Sequence, residues 1–303
     1  MLHHISRAVG REIEIFCFGD LQSDAEGFDR EAWEEFRNQF KKSKNALALG
    51  LGDYNDFSRP TMRARMLGAL AHDDSTRQQV DDLVRKKQDG LLDMMQFLEG
   101  KLIGVHNGHH CWEFADRTNS DQRIASALKA PYLGWMASTR LVLSPTKDMD
   151  RGYAYTIISM HGQANSRRTG GAANWLEQNV IESWVADHYV MGHSCKSISW
   201  MPGERHIIRK KGPAGVISST PRALQVGGFH RGYTDGFTSS YVERNGFKPQ
   251  PIMWGVIRLR IENSKSAALA RGVARKSPCL RIESLNVGPD IQASQFEGDW
   301  GPK

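Results

Sequence analysis

Acids and histidines stand in a few short islands of this chain: Gly19-Asp20-Leu21-Gln22, Gly52-Asp53-Tyr54-Asn55-Asp56, Asn107-Gly108-His109-His110, His161-Gly162 and Gly192-His193-Ser194-Cys195. Carboxylate and neutral imidazole together suit divalent Mn, Zn, Fe or Ni. Two such ions roughly 3.5–4 Å apart need a bridging carboxylate and separate ligand sets; a shared water then becomes hydroxide, and both ions clamp a phosphate. Asp53 is the candidate bridge, with Asp20 on a first ion and His161 and His193 on a second. An Asp after a glycine is, taken singly, as often a turn or cap residue. The ordered combination points to metal.

Ligands of this kind must be delivered by the ends of neighbouring strands, and each island follows an apolar run. Residues 12–18 and 46–51 read as buried strands, with an amphipathic helix over 28–43 between them that carries Phe28, Trp33, Phe36 and Phe40 at helical spacing. Strand, helix, strand make a βαβ unit with an acid at each strand end. Residues 61–100 read as mostly helical, 102–105 as a short strand, 121–128 as a helix and 131–134 as a turn. Strands over 139–143 and 153–160 follow, the second ending at His161; 172–185 is expected to be helical, and 188–191 is a strand leading to His193. Segments 197–201, 206–209, 223–226 and 252–261 suggest further antiparallel strands. One domain is expected over 1–265, with a C-terminal extension over 266–303 whose end is weakly ordered.

Composition sets few limits. The 303 residues can bury a full core, and 40 Lys and Arg against 34 Asp and Glu give +6. That mild excess suits phosphate-bearing substrates and is equally met by a solvated surface. Cys17, Cys111, Cys195 and Cys279 lack paired spacing, which reads as reduced thiols. No apolar leader core or membrane-length run is present, so the expectation is a soluble, cytoplasmic protein without a membrane partner.

With these residues in view, the chain resembles the calcineurin-like metallophosphoesterases, whose motifs run Asp-x-His, Gly-Asp-x-x-Asp, Gly-Asn-His, a lone His and Gly-His-x-His. The resemblance is closest to phage-type members, through residues 108–114, Asp121-Gln122, the Pro-Tyr-Leu-Gly of 131–134, His161-Gly162 and Arg168-Thr169-Gly170-Gly171. It implies an α/β fold, a four-layer α/β/β/α sandwich with two central mixed sheets. It also implies two divalent ions and hydrolysis of a phosphate ester by a metal-bridging hydroxide, in the host cytoplasm if the chain is phage-encoded.

The chain departs from those motifs at three places. Gln22 fills the first motif's histidine slot and offers only a neutral amide oxygen. Cys195 fills the last histidine slot, where a thiolate could bind softer Zn or Fe or a small thiol could simply be buried. At the third island, a gapless alignment puts His109 in place of the metal-binding Asn and His110 in the catalytic slot. With one residue inserted, Asn107 is the ligand and His109 or His110 the catalyst. Either way, the resemblance implies a histidine that protonates the leaving oxygen or stabilises the transition-state phosphate.

Asp56 is expected to orient the catalytic imidazole or to cap a helix. Arg167 and Arg168 could grip substrate phosphate or belong to a solvated loop. Trp112, Trp135 and Trp200 could stack a base, with buried packing the commoner fate of a tryptophan. The functional expectation is a phosphoesterase acting on mono- or diesters, with a DNA nuclease or nucleotide phosphodiesterase as the finer reading. The alternative is a binding or scaffold protein on the same frame whose first metal site, at Gln22 and Cys195, has decayed.

Overall fold

The computed structural model describes residues 3–57, 65, 66, 68, 74–144, 153–163, 168–208, 216–233, 241–244, 246–264 and 277–289. Its first sheet contains β2 (Glu12–Phe18), β3 (Ala46–Gly50), β4 (Leu102–His106), β5 (Tyr132–Gly134), β13 (Trp254–Ser264) and β14 (Ser277–Val287), in the order β14-β13-β2-β3-β4-β5. The run from β2 to β5 is parallel, and β13 joins it antiparallel beside β2. The second sheet contains β1 (His3–Val9), β6 (Met136–Leu143), β7 (Tyr153–Met160), β8 (His188–Met191), β9 (Ile198–Trp200) and β12 (Arg222–Gln225), in the order β1-β6-β7-β8-β12-β9. Strands β10 (Arg205–Ile208) and β11 (Val216–Ser219) pair apart from both.

The period-two alternation of β2 shows how one strand serves two cores. Ile13, Ile15 and Cys17 pack between the sheets with Leu49, Leu141, Ile157, Val190 and Ile257, whereas Phe16 and Phe18 point the other way. That outer face is covered by α1 (Arg30–Lys42), α2 (Asp74–Met95) and α3 (Ser120–Ala127). On α1, Trp33, Phe36 and Phe40 recur at helical spacing and are all buried, each stabilising by roughly 1.5–3 kcal/mol. On the far side, α4 (Thr169–Leu176) and the π turn Glu177–Ile181 cover Ile158, Tyr189 and Met191. The order is therefore helices, sheet, sheet, helix: the expected four-layer α/β/β/α sandwich with two central mixed sheets.

Several local expectations are corrected. Helix α1 begins at Arg30 rather than residue 28 because Asp29 caps it, accepting from Ala32 N at 3.0 Å, while Phe28 bridges to His230. The expected turn over 131–134 contains the edge strand β5, since Tyr132 and Gly134 pair with Val105 and His106. The helix expected over 172–185 ends as a π turn at Ile181. Part of the expected C-terminal extension, 277–287, instead forms β14 along the whole of β13, with Leu280 and Ile282 packed on the intersheet core. Strand β1 was not anticipated; it adds to β6 in parallel. Among the described residues no helix is long and apolar enough to cross a membrane.

Candidate metal centre

Five strands end at one place. Asp20 follows β2, Asp53 follows β3, His109 and His110 follow β4, His161 follows β7 and His193 follows β8. The site thus straddles the carboxyl ends of both sheets. Its loops touch backbone to backbone: Gly52 has φ +97°, and a Cβ there would lie 2.8 Å from Gly108 Cα and 2.9 Å from His161 Nδ1. Only glycine permits that approach.

The site is also where the backbone is strained. Among the described residues, the non-glycine positions with positive φ are Asp20, Gln22, Asp53, Arg117, Lys129, His193 and Cys195, and five of these seven belong to the islands. Left-handed conformations cost about 1–3 kcal/mol each in such residues and persist where the surroundings over-determine them. Asp20 with Gln22, and His193 with Cys195, repeat one pattern in which two left-handed residues flank a third. Gln22 and Cys195 are therefore presented by the same kind of turn as the acid and the imidazole beside them.

Asp53, His109, His161 and His193 bring one ligand atom each to within 4.8 Å of one another. His161 Nδ1 lies 2.7 Å from Leu51 O, which fixes its proton there and leaves Nε2 facing the cluster. That Nε2 is 3.2 Å from Asp53 Oδ2 and 3.2 Å from His193 Nδ1, and His193 Nδ1 is 3.2 Å from His109 Nδ1. A tetrahedral ion with bonds of roughly 2.1 Å holds its ligands roughly 3.4 Å apart, so these separations fit a transition metal. One carboxylate with three imidazoles suits Zn, Mn, Fe or Ni.

The groups of the cluster shift one another strongly. Burial works against charge on His161, but Asp53 and then Asp20 overcome it and hold the imidazole up to about 9. Burial also works to raise Asp53, yet His161 and His110 hold it well below the usual carboxylate range. Asp20 is pushed up to about 7 by burial and by Asp53, against the pull of His161. Burial and the neighbouring imidazoles His161 and His109 drive His193 down to about 3, leaving it neutral as a ligand must be.

The third island divides. Asn107 Oδ1 accepts from Tyr132 Oη at 3.1 Å, and its Nδ2 donates to Gly108 O, so its amide is engaged away from the cluster that His109 joins. His110 turns to the other side. Its N–H donates to Asp53 Oδ1 at 2.9 Å, its Nδ1 lies 2.6 Å from Asp56 Oδ1, and its Nε2 is 4.0 Å from Asp53 Oδ2. Burial opposes its charge, but the Asp56 hydrogen bond and Asp53 raise its affinity for a proton.

Asp20 accepts from His193 N at 2.8 Å through Oδ2, tying the two sheets together. A side chain at Gly228 would lie 2.9 Å from Asp20 Cβ and 3.2 Å from Cys195 Sγ, so acid and thiol share that backbone as a wall. Burial, then Asp20 and Asp53, push the Cys195 thiol well up. Gln22 is half-buried, and its N–H donates to Asp53 O at 3.0 Å. Arg168 is exposed at the start of α4, where its carbonyl accepts from Lys196 Nζ; Arg167 lies outside the described residues. Trp112 is buried and donates to Asp81, and Trp200 donates to Glu177; Trp135 is 51% exposed with its ring 5.2 Å from that of His109.

Sequence reasoning missed the supporting role of Asp121. Its Oδ2 accepts from Gly108 N at 2.8 Å beneath the third island, and burial pushes it up to about 7. The contact is tertiary; the sequence marks Asp121 only as half of the Asp121-Gln122 pair and as an acid in the first turn of α3.

No family model matches the sequence, and no curated protein does. Solved structures similar to the chain include Vps29 with zinc from Entamoeba histolytica, at 11% identity and a TM-score of 0.38, covering 90% of this chain and 99% of that one. A putative 5′-nucleotidase from Staphylococcus aureus gives 11% identity and a TM-score of 0.40, covering 95% and 56%. The NAD nucleotidase of Haemophilus influenzae gives 12% and 0.35, covering 91% and 50%. The chain thus spans about half the length of the two nucleotidases.

Proposed function

We propose that the chain is a metal-dependent phosphoesterase that hydrolyses phosphate mono- or diesters, with nucleotides or nucleic acid as the substrate class. The observation that carries this reading is the convergence of Asp53, His109, His161 and His193 within 4.8 Å, beside a separate imidazole, His110, that is braced by Asp56. Divalent ions, when bound, lower the pKa of water and neutralise phosphate charge.

The chain's own residues have distinct parts. Asp53 would be the carboxylate shared by the two ions, a reading supported by its position between His161, 3.2 Å from one of its oxygens, and His110, whose N–H donates to the other. Asp20, with Gln22 and Cys195, would hold the first ion; His109, His161 and His193 would hold the second. Asp56 orients His110 and, against burial, raises its hold on a proton, so that His110 can give that proton to the leaving oxygen. Leu51 O and the Gly108 backbone fix the rings and loops that bear the ligands. Arg167 and Arg168 remain candidates for gripping substrate phosphate.

The test is hydrolysis of bis-p-nitrophenyl phosphate after chelation and re-addition of Mn, Zn, Fe or Ni singly, with bound metal counted per chain. Metal-dependent turnover with two ions supports the dinuclear enzyme. Turnover with one ion narrows the site to the imidazole side. No turnover with any ion overturns the reading in favour of a binding protein on this frame, an outcome for which Gln22 and Cys195, both on the first-ion side, would account.

A further inference from the structure

A cleft of about 480 Å³ that no step above uses lies beside the metal centre, lined by Arg77, Arg117, Asn119, Tyr132 and Trp135 among others, with the Trp135 ring 5.2 Å from that of His109. Its volume falls within the roughly 300–1,000 Å³ of small-molecule sites. Trp135 stands at the joint between it and the metal ligands. The residue lies between the last residue of β5 and the first of β6, where the chain passes from one sheet to the other. Gly134, at φ +61°, turns the backbone there, and its carbonyl accepts from Asn107 N and lies 3.0 Å from His106 Nδ1. The fold thus anchors the backbone of an indole that stays half exposed, whereas Trp33, Trp112 and Trp254 are buried.

The rest of the lining combines the cationic Arg77 and Arg117 and several polar groups with one acid, Glu113, and the apolar Phe114 and Ala115. Tyr132 Oη donates to Asn107 and accepts from Asn119 Nδ2 at 3.1 Å, which makes a fixed polar floor. Arg77 Nε is buried with no hydrogen-bond partner among the described residues. A buried guanidinium N–H left unpaired costs free energy that an incoming acceptor would recover. Arg117 is exposed on the same rim, held at φ +68°. A half-exposed indole beside His109, with the amides of Asn107 and Asn119 and two guanidinium groups in the same lining, suits a heteroaromatic ring that carries phosphate.

We infer that Trp135 is the stacking platform for the nucleobase of the substrate, with Arg77 and Arg117 facing a further phosphate, so that this cleft sets the preference for nucleotide over simple phosphate esters. The inference rests on the phosphoesterase reading for its orientation: scissile phosphate at the metal ligands, base against the indole. Stacking on an aromatic side chain is tolerant of base identity, so the preference is for a base rather than for one base.

The experiment compares two diesters with one leaving group, thymidine 5′-(p-nitrophenyl phosphate) and methyl p-nitrophenyl phosphate, on the metal-loaded full-length chain. Wild type should favour the nucleoside ester in kcat/KM, and Trp135→Ala should lower the ratio of the two values by at least about tenfold, in line with stacking energies. Trp135→Phe should retain most of the ratio. If the indole only props His109, both values fall together and the ratio stays, which overturns the inference. Should neither ester be hydrolysed, the phosphoesterase reading fails separately, and calorimetric titration with thymidine 5′-monophosphate decides the cleft. Binding weakened at least about tenfold by Trp135→Ala upholds the platform; no binding, or equal binding, overturns it.

Discussion

His161, just past the end of β7, and His188, on the neighbouring β8, are both fully buried, yet their surroundings drive them in opposite directions. His161 leaves the carboxyl end of β7 and meets Asp53 and Asp20, which overcome burial and hold it up to about 9. His188 opens β8 at the other end and meets neutral hydroxyls, Tyr155 Oη at 3.0 Å and Ser284 Oγ at 3.3 Å. Burial, then Arg222, take it down to about 3. Burial alone makes neither a ligand. The partners supplied at each end of the strand decide whether an imidazole serves chemistry or packing.

The largest expected effect tests the carboxyl-end cluster. Asp53→Asn should reduce phosphodiester hydrolysis to the metal-free background and lower bound metal per chain, with circular dichroism unchanged. Retained turnover would break the comparison, because the acid that distinguishes His161 from His188 would then do nothing. Next comes the imidazole outside the cluster. His110→Ala should cost about 10²–10⁴-fold in kcat with bound metal retained, as expected for loss of a general acid. Asp56→Asn should cost less, about 10–100-fold, by loosening that ring. Equal losses of metal in all three variants would show that His110 is a ligand instead.

Cys195→His sharpens the same contrast within the site. The thiol is presented by a left-handed residue two positions after His193, as Gln22 is after Asp20. If that slot holds the first ion, an imidazole there should preserve or raise bound metal per chain by elemental analysis, since neutral nitrogen replaces a thiol that burial, then Asp20 and Asp53, push toward its protonated form. A lower metal count would mean that the slot does not accept an imidazole as a ligand.

How far the sequence carried this follows from what is local. The sandwich was legible because an apolar run that ends in Gly-Asp or Gly-His states both a strand and its exit, and the aromatic spacing of α1 states which face is buried. The separation of His161 and His193 from His188 was legible for the same reason, as only the first two stand at strand exits. Whether Asn107 or His109 faces the cluster was not, because the answer lies with Tyr132, 25 residues on. Asp121 beneath Gly108 and the exposure of Trp135 are likewise products of packing between distant segments. Strand β1, with His, Ser and Arg along it, lacks the apolar run that marked the others.

The last prediction concerns the amino end of β8 and reads stability alone. His188 is neutral when folded, with its proton affinity lowered from the ordinary 6.5 to about 3. As pH falls below 6.5 the unfolded chain takes up that proton and the folded chain does not, so stability is full above 6.5 and declines toward pH 3, by at most about 1.4 kcal/mol per unit from this group. Tyr155, Ser284 and Arg222 face the ring, and none supplies the carboxylate that would reverse the sign. His188→Gln keeps a hydrogen-bonding side chain but cannot titrate. It should cost about 1–2 kcal/mol near neutrality, from imperfect pairing with the buried Tyr155 hydroxyl and the half-buried Ser284 hydroxyl, and should flatten the acid limb in urea titrations between pH 6.5 and 4.5. An unchanged slope would mean that His188 is charged in the folded protein, and the two buried histidines would then no longer differ in kind.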